Sequence, residues 1–315
     1  MQYLKPPLTY HQQIELLESR GLSIPDHAQA AHYFKHISYY RLSAYALPFQ
    51  NTKDVFNAGT TFDDLLNLYL FDRELRIIVF DAIERIEVAI RAQIIYQLSH
   101  KYGSHWQDDP TIFVPQYVNR ANIAIDVFAD TQKIIQDHCS AKRPEVFIKH
   151  YMSRYTLPTT PPSWMSIELL TIGQLSRLYS GLKHNSDKYD IATYFGLHHT
   201  LLQSWFHTLT YVRNICAHHS RLWNREFAIQ PDIPKKALPL PWISLKHNNN
   251  RRCFYSLCIL KYLLQTVNPG GHFKQRLLAL LQEHPTVPVQ FLGIPTDPEG
   301  KLINWQTEPL WSKMS

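Results

Sequence analysis

Apolar positions along this chain recur mostly at three- and four-residue spacing, while the alternation that marks half-buried strands is scarce, so the pattern predicts helices. The clearest stripe is Leu202, Trp205, Leu209, Val212 and Cys216, with Phe206 and Ile215 beside it. It gives one apolar face over about four turns, and such a face belongs in a core. The longest pattern opens with Thr61 and Asp64 as a capping pair and runs without Pro or Gly to Tyr102, just ahead of Gly103. On it Asp72 and Arg76, Asp81 and Arg85, and Glu87 and Arg91 are acid-before-base pairs four residues apart, which support a helix. A helix of roughly 40 residues at about 1.5 Å per residue would span the whole molecule, so a kink or break inside it is expected.

Thr9 with Gln12, and Asp26 with Gln29, start a short N-terminal pair, the first helix stopping at Gly21 and the second near Ile37. Further helices are expected over residues 120–138, 145–153, Trp164 to Leu182 and Lys188 to Phe195, with a Pro-rich linker from Leu157 to Pro162. After an irregular connection through Pro231, Pro234, Pro239 and Pro241, Asn250 is placed to cap a helix from Arg251 to about Val267, and a last helix covers Phe273 to Glu283. Trp305 and Trp311 in the tail are expected to pack back onto the body. Three regions result: an N-terminal helical region 1–60, a helical core 61–230, and C-terminal helices with a Pro- and Trp-containing tail over 231–315.

Composition changes this picture little. Of 315 residues, 45% are hydrophobic and 18% charged, which excludes disorder as the main character of the chain. The four cysteines, Cys139, Cys216, Cys253 and Cys258, show no CxxC spacing, so neither a disulfide framework nor a zinc ribbon is indicated. The first ten residues lack the apolar run of a signal peptide, and charges interrupt the most apolar stretch, so a soluble cytoplasmic protein with no membrane partner is expected.

Charge is more informative by place than by total. The net charge is +6, yet between Leu201 and His284 eleven Lys and Arg stand against Glu226, Asp232 and Glu283, a local +8. A localised basic surface suits a phosphate-bearing partner, although solvated helix faces carry Lys and Arg too.

The segment Tyr211 to Phe227 reads YVRNICAHHSRLWNREF and delivers Arg213, Asn214, His218, His219, Arg221, Asn224 and Arg225 directly after the apolar stripe. Arg213 and His218 are five residues apart, roughly 140° around an ideal helix, so they converge only where the helix ends, which is expected near Ala217. An Arg and a His held together suit phosphodiester cleavage. Imidazole moves protons near neutral pH, and guanidinium offers a fixed fork to a phosphate whose charge grows in the transition state. On RNA the 2′-hydroxyl is the nucleophile, so no metal is needed. The spacing alone carries nothing: with 17 His and as many Arg as Lys among 32 basic residues, chance predicts roughly 0.9 such pairs.

Context adds a resemblance. RNICAHHSRLWNR resembles the signature of the Abi-like abortive-infection proteins of bacteria, of the D/F type, within the HEPN superfamily of helical ribonucleases. KPPLTYHQQIELLESRGL from Lys5, ISYYRLSAY from Ile37, FDRELR from Phe71, IERIEVAIR from Ile83, LPTTPPSWMSIELLTIGQLSRLY from Leu157, LGIP at Leu292 and W-x5-LW from Trp305 look like blocks of that family in its order. The resemblance implies an all-α fold, a HEPN-like helical bundle with an N-terminal helical extension and C-terminal helices. It implies a metal-independent endoribonuclease with Arg213 and His218 as the active-site pair and Asn214 in the polar position after Arg. His219 fits a longer spacing equally well. One motif per chain implies a homodimer with a composite site, and the toxicity of such an activity leaves room for a small regulatory RNA or a protein to restrain it. The alternative is a non-catalytic RNA-binding or regulatory defence protein.

Supporting residues are proposed on the same basis. Arg73, Arg76, Glu84, Glu87 and Arg91 lie in the family-like blocks, Glu87 and Arg73 foremost, where a carboxylate could orient Arg213, and a solvated face of routine ion pairs is the competing expectation. Arg221 and Arg225 would hold RNA, as would Tyr40 and Arg41 by stacking and clamping, although burial of Tyr39 and Tyr40 in the core is the heavier expectation. Cys216, His218 and His219 lack a second ligand pair that would complete a tetrahedron, so no metal and no cofactor is expected.

Overall fold

The computed structural model describes residues 2, 4, 6–118, 122–244, 250–297 and 299–312. It is all-α. The helices are α1 (Tyr10–Ser19), α2 (His27–Ile37), α3 (Tyr39–Ala46), α4 (Phe62–Tyr102), α5 (Val127–Cys139), α6 (Val146–Arg154), α7 (Ser163–Ser166), α8 (Ile172–Gly181), α9 (Asn185–Tyr194), α10 (His199–Ala217), α11 (Cys253–Val267), α12 (Phe273–Glu283) and α13 (Pro309–Ser312). Two small antiparallel ladders accompany them, Gln50–Thr52 with Val55–Phe56 and Tyr117–Val118 with Ala124–Ile125.

The starts of these helices follow side-chain chemistry visible in the sequence. Thr9 and Thr61 form reciprocal capping boxes with Gln12 and Asp64, and Asp26 accepts from the Gln29 amide at 2.8 Å. Each satisfies amides that the first helical turn leaves without an intrahelical partner.

The break expected within α4 does not occur. It runs as one helix of 41 residues, with neither Pro nor Gly inside and Gly103 at φ 90° just beyond its end. Its apolar residues serve more than one face, because α4 is the central post against which α3, α9, α10, α11 and α12 pack. The main core gathers along α4, α8, α10 and α11, and a second cluster fills the space between α1, α2, α3 and the first turns of α4. Trp305 and Trp311 join the main core, 7% and 0% exposed.

Other boundaries shift for identifiable reasons. The helix expected from residue 120 begins at Val127, capped by Asp126, after the Tyr117–Ile125 hairpin; residue 120 itself lies outside the described residues. The helix expected from Trp164 to Leu182 is interrupted, because Thr171 and Gln174 form a further capping box that restarts the chain as α8. Asn250 does not cap α11: its side chain donates to the Pro231 carbonyl at 2.9 Å, and the helix starts after Arg252.

Candidate functional site

Helix α10 buries Leu202, Trp205, Phe206, Leu209, Val212 and Cys216 and ends at Ala217, where the two histidines begin. The ending is a Schellman motif. The His219 amide donates to the Cys216 carbonyl at 3.1 Å and the Ser220 amide to the Ile215 carbonyl at 2.9 Å, with His219 in the left-handed region at φ 54°. Glycine is the usual occupant of that position, so a histidine there holds a backbone conformation that costs it energy.

The turn that follows is pinned from inside. Asp72 on α4 is fully buried, and its carboxylate accepts from the Leu222 amide at 3.1 Å, the Trp223 amide at 2.6 Å, the Tyr45 hydroxyl at 2.7 Å and the Arg76 guanidinium. Burial pushes its pKa up, and the Arg76 charge, Tyr45 and the two amides oppose that. Every partner is a donor, so the arrangement is complementary to the carboxylate form. Burial likewise raises the Tyr45 phenol above its ordinary value, which keeps its proton available to Asp72. One carboxylate thereby joins α3, α4 and the turn after α10, and Trp223, fully buried, packs edge-on against Phe291 at 5.4 Å.

Outside this anchor the polar residues divide into two sets. Arg41 donates to the His219 carbonyl and Arg221 to the Ala44 carbonyl, Arg225 donates to the Arg221 carbonyl at 3.3 Å, and Arg252 donates to the Asn224 side chain at 2.6 Å. Arg41 and Arg221 tie α3 to the turn, Arg225 closes the turn on itself, and Arg252 ties it to the start of α11. Among the described residues, the side chains of Arg213, Asn214, His218 and His219 have no hydrogen-bond or ion-pair partner; Arg213 instead lies over the Phe80 ring of α4, 5.6 Å from its centroid. Asn214, His218 and His219 are exposed and Arg213 is half-buried, so the candidate pair stands on an open face.

The remaining candidates scatter. Tyr40 is 87% exposed, contrary to the expected burial, because it lies on the outer face of α3 while Leu42 and Tyr45 face inward. Tyr39 is half-buried, its ring edge-on to Phe34 and its hydroxyl accepting from Arg20 at 3.2 Å. Glu87 pairs with Arg91 at 2.7 Å, and Arg91 donates to the Ile167 and Leu170 carbonyls, so this carboxylate braces the segment before α8 and does not orient Arg213. Arg73 is exposed on α4.

Cys216 is buried away from the exposed histidines, and burial pushes its thiol up to about 12, which suits a packing residue and not a ligand or nucleophile. Among the described residues, the metal-compatible group that does come together is Glu74, Glu283 and His284, whose ligand atoms lie within 4.8 Å of one another. It joins α4 to the end of α12 and includes none of the sequence-predicted site residues.

Of the supports of the site, Arg76 is among the residues expected near the motif, while sequence reasoning missed Asp72 and Tyr45. The one available signal was the Asp72–Arg76 spacing, which reads equally well as a solvated surface pair.

A family model described as Abi-like protein matches residues 32–224, from within α2 to the turn after Trp223. The blocks that resemble the family from Ile37 to Arg225 fall almost wholly within the matched residues, whereas those at Lys5–Leu22 and in the tail fall outside them. No curated protein and no solved structure matches the chain.

Proposed function

The chain belongs to the Abi-like protein family, and from that premise we propose that it is a metal-independent endoribonuclease acting in a bacterial anti-phage abortive-infection system. The observation that carries this reading is the division of polar groups around α10. Neighbouring arginines donate to protein carbonyls, while the side chains of Arg213, Asn214 and His218 are left without protein hydrogen bonds at the end of α10, ahead of a turn that Asp72 pins. Polar groups kept open on a braced scaffold are what a ligand site requires.

In the proposed reaction His218 acts as general acid or base. Removal of the 2′-hydroxyl proton lets that oxygen attack the adjacent phosphorus, the bond to the 5′-oxygen breaks, and the leaving oxygen takes up a proton. The products are a 2′,3′-cyclic phosphate and a 5′-hydroxyl end. Arg213 stabilises the charge gathered on the pentacoordinate phosphate, and Asn214 orients the substrate or one of the pair.

A second copy of the chain completes the site in this reading. An apolar stripe on α4 supports it: Ile77, Phe80 and Val88 are 47%, 38% and 54% exposed, and Arg213 lies directly on Phe80. Pairing along that stripe would cover apolar surface and enclose Arg213 and His218. A small RNA is the proposed partner that restrains the activity.

A competing reading, a non-catalytic RNA-binding or regulatory defence protein, is favoured by the openness of the face on which the pair stands. One experiment separates the two. Purified protein is incubated with total RNA in chelator, and the ends produced are mapped for wild type and for His218→Ala. Cyclic phosphate ends made by the wild type and absent with the variant support the enzyme. Cleavage that the variant retains in full, or RNA binding without cleavage in either protein, sinks it.

A further inference from the structure

The positive surplus between Leu201 and His284 is not all at the α10 turn. Arg85, Lys261, His272 and Arg276 converge on a cavity of about 280 Å³ between α4, α11 and the start of α12. Lys261 lines it from a helix that holds no other charged residue and is itself 5% exposed. Arg85 and Arg276 both pair with Asp81, at 3.4 and 2.8 Å, and because each guanidinium carries five donors, both retain others. Lys261, Arg85 and Arg276 against one carboxylate give the cavity wall a formal charge of +2 before His272 is counted.

The backbone adds to this electrostatic preference. Gly270 and Gly271 lead into α12, whose N-cap residue His272 supplies no side-chain cap and whose first turn has no acidic residue. The positive end of the helix therefore stands at the cavity wall without a compensating acid in its first turn. A Cβ at Gly271 would meet the Asn268 side-chain amide at 2.4 Å and displace it, whereas a Cβ at Gly270 would meet nothing within 4 Å. Ala82, Leu264 and Phe273 add apolar surface to the same lining. Burial, and then the nearby Lys274 charge, lower the Lys261 pKa, as expected of an ammonium kept among like charges.

We propose that this cavity binds a small phosphomonoester, with the phosphate held by Lys261, Arg85 and Arg276 and the organic part lying against Leu264 and Phe273. The volume, just under the usual range for small-molecule sites, and a Lys261 that is 5% exposed suit a small terminal phosphate better than a polymer backbone. The site is separate from the Arg213 and His218 face and does not depend on the nuclease reading.

The test is calorimetric titration of the full chain with ribonucleoside 5′-monophosphates, inorganic phosphate, an unphosphorylated nucleoside and a single-stranded oligonucleotide without terminal phosphates. Saturable binding of a monophosphate, one per chain, is expected, tighter than inorganic phosphate and absent for the nucleoside. Lys261→Met should weaken it by about tenfold or more, the loss of one charge-assisted contact. Gly270→Asp sets a carboxylate in open space at the cavity mouth and should weaken it similarly; it keeps the test decisive if Lys261→Met does not fold. Arg213→Ala should leave it unchanged. No saturable binding of any monophosphate, inorganic phosphate or the oligonucleotide binding as tightly, or indifference to Gly270→Asp would each overturn the proposal, as would loss in Arg213→Ala.

Discussion

Two groups of polar residues lie on either side of the chain that follows α10, and they are built in opposite ways. Beneath it, Asp72, Arg76 and Tyr45 are buried and satisfied by one another and by two backbone amides. Above it, Arg213, Asn214, His218 and His219 have no protein hydrogen bonds for their side chains. Arginine serves in both, so identity alone does not assign its role. Satisfaction does: a buried charge with a full set of partners is architecture, and an unsatisfied polar group on a rigid support is available to a ligand.

That contrast is broken most severely from below. Asp72→Ala removes four donors' shared acceptor and leaves Arg76 as an uncompensated buried charge, at an expected cost of about 3–5 kcal/mol. Chemical denaturation reads it directly. A loss under about 1 kcal/mol would mean that the carboxylate is not the keystone its hydrogen bonds describe.

From above, the loss should appear in activity and not in folding. Arg213→Ala is expected to lower the cleavage rate by about 10²–10³-fold, the value of one group aimed at transition-state charge. Its stability should fall by no more than about 1 kcal/mol, the contact with Phe80. Equal losses in rate and stability would erase the distinction between the two groups. Arg221→Ala tests the set between them. Its guanidinium holds the Ala44 carbonyl, so it should cost about 1–2 kcal/mol in a melt while RNA affinity at fixed salt changes little. A large affinity loss with an unchanged melt would return Arg221 to the RNA-binding role expected from the sequence.

Much of the scaffold of this contrast was legible in the sequence. Thr9, Asp26 and Thr61 announce their helices because a capping side chain must sit within three residues of the amide it serves. The α10 stripe is buried at every predicted position, and the helix ends at Ala217, one residue after Cys216, the last of the stripe. The anchor was not legible. Asp72 and Arg76 follow the i,i+4 rule of a solvated pair, and α4 is apolar on several sides, so its pattern does not say which face is covered. What buries Asp72 comes from residues about 150 positions away, and no local spacing encodes that. The pocket around Lys261 escaped for the same reason, since it draws on α4, α11 and α12 together.

The smallest effect asks which histidine matters. His219 occupies the left-handed position of the Schellman ending, φ 54°, where a side chain costs about 1–2 kcal/mol relative to right-handed backbone. Glycine removes that cost but loses more freedom on folding, so His219→Gly is expected to stabilise by at most about 1 kcal/mol. The Arg41 contact survives, because it is made to the backbone carbonyl of residue 219. The variant therefore leaves the turn, and with it the placement of His218, intact. Full cleavage with a slightly raised melting temperature would assign proton transfer to His218. Lost cleavage with the same rise would assign it to His219, and a lowered melting temperature would show that the imidazole of His219 contributes to holding the turn.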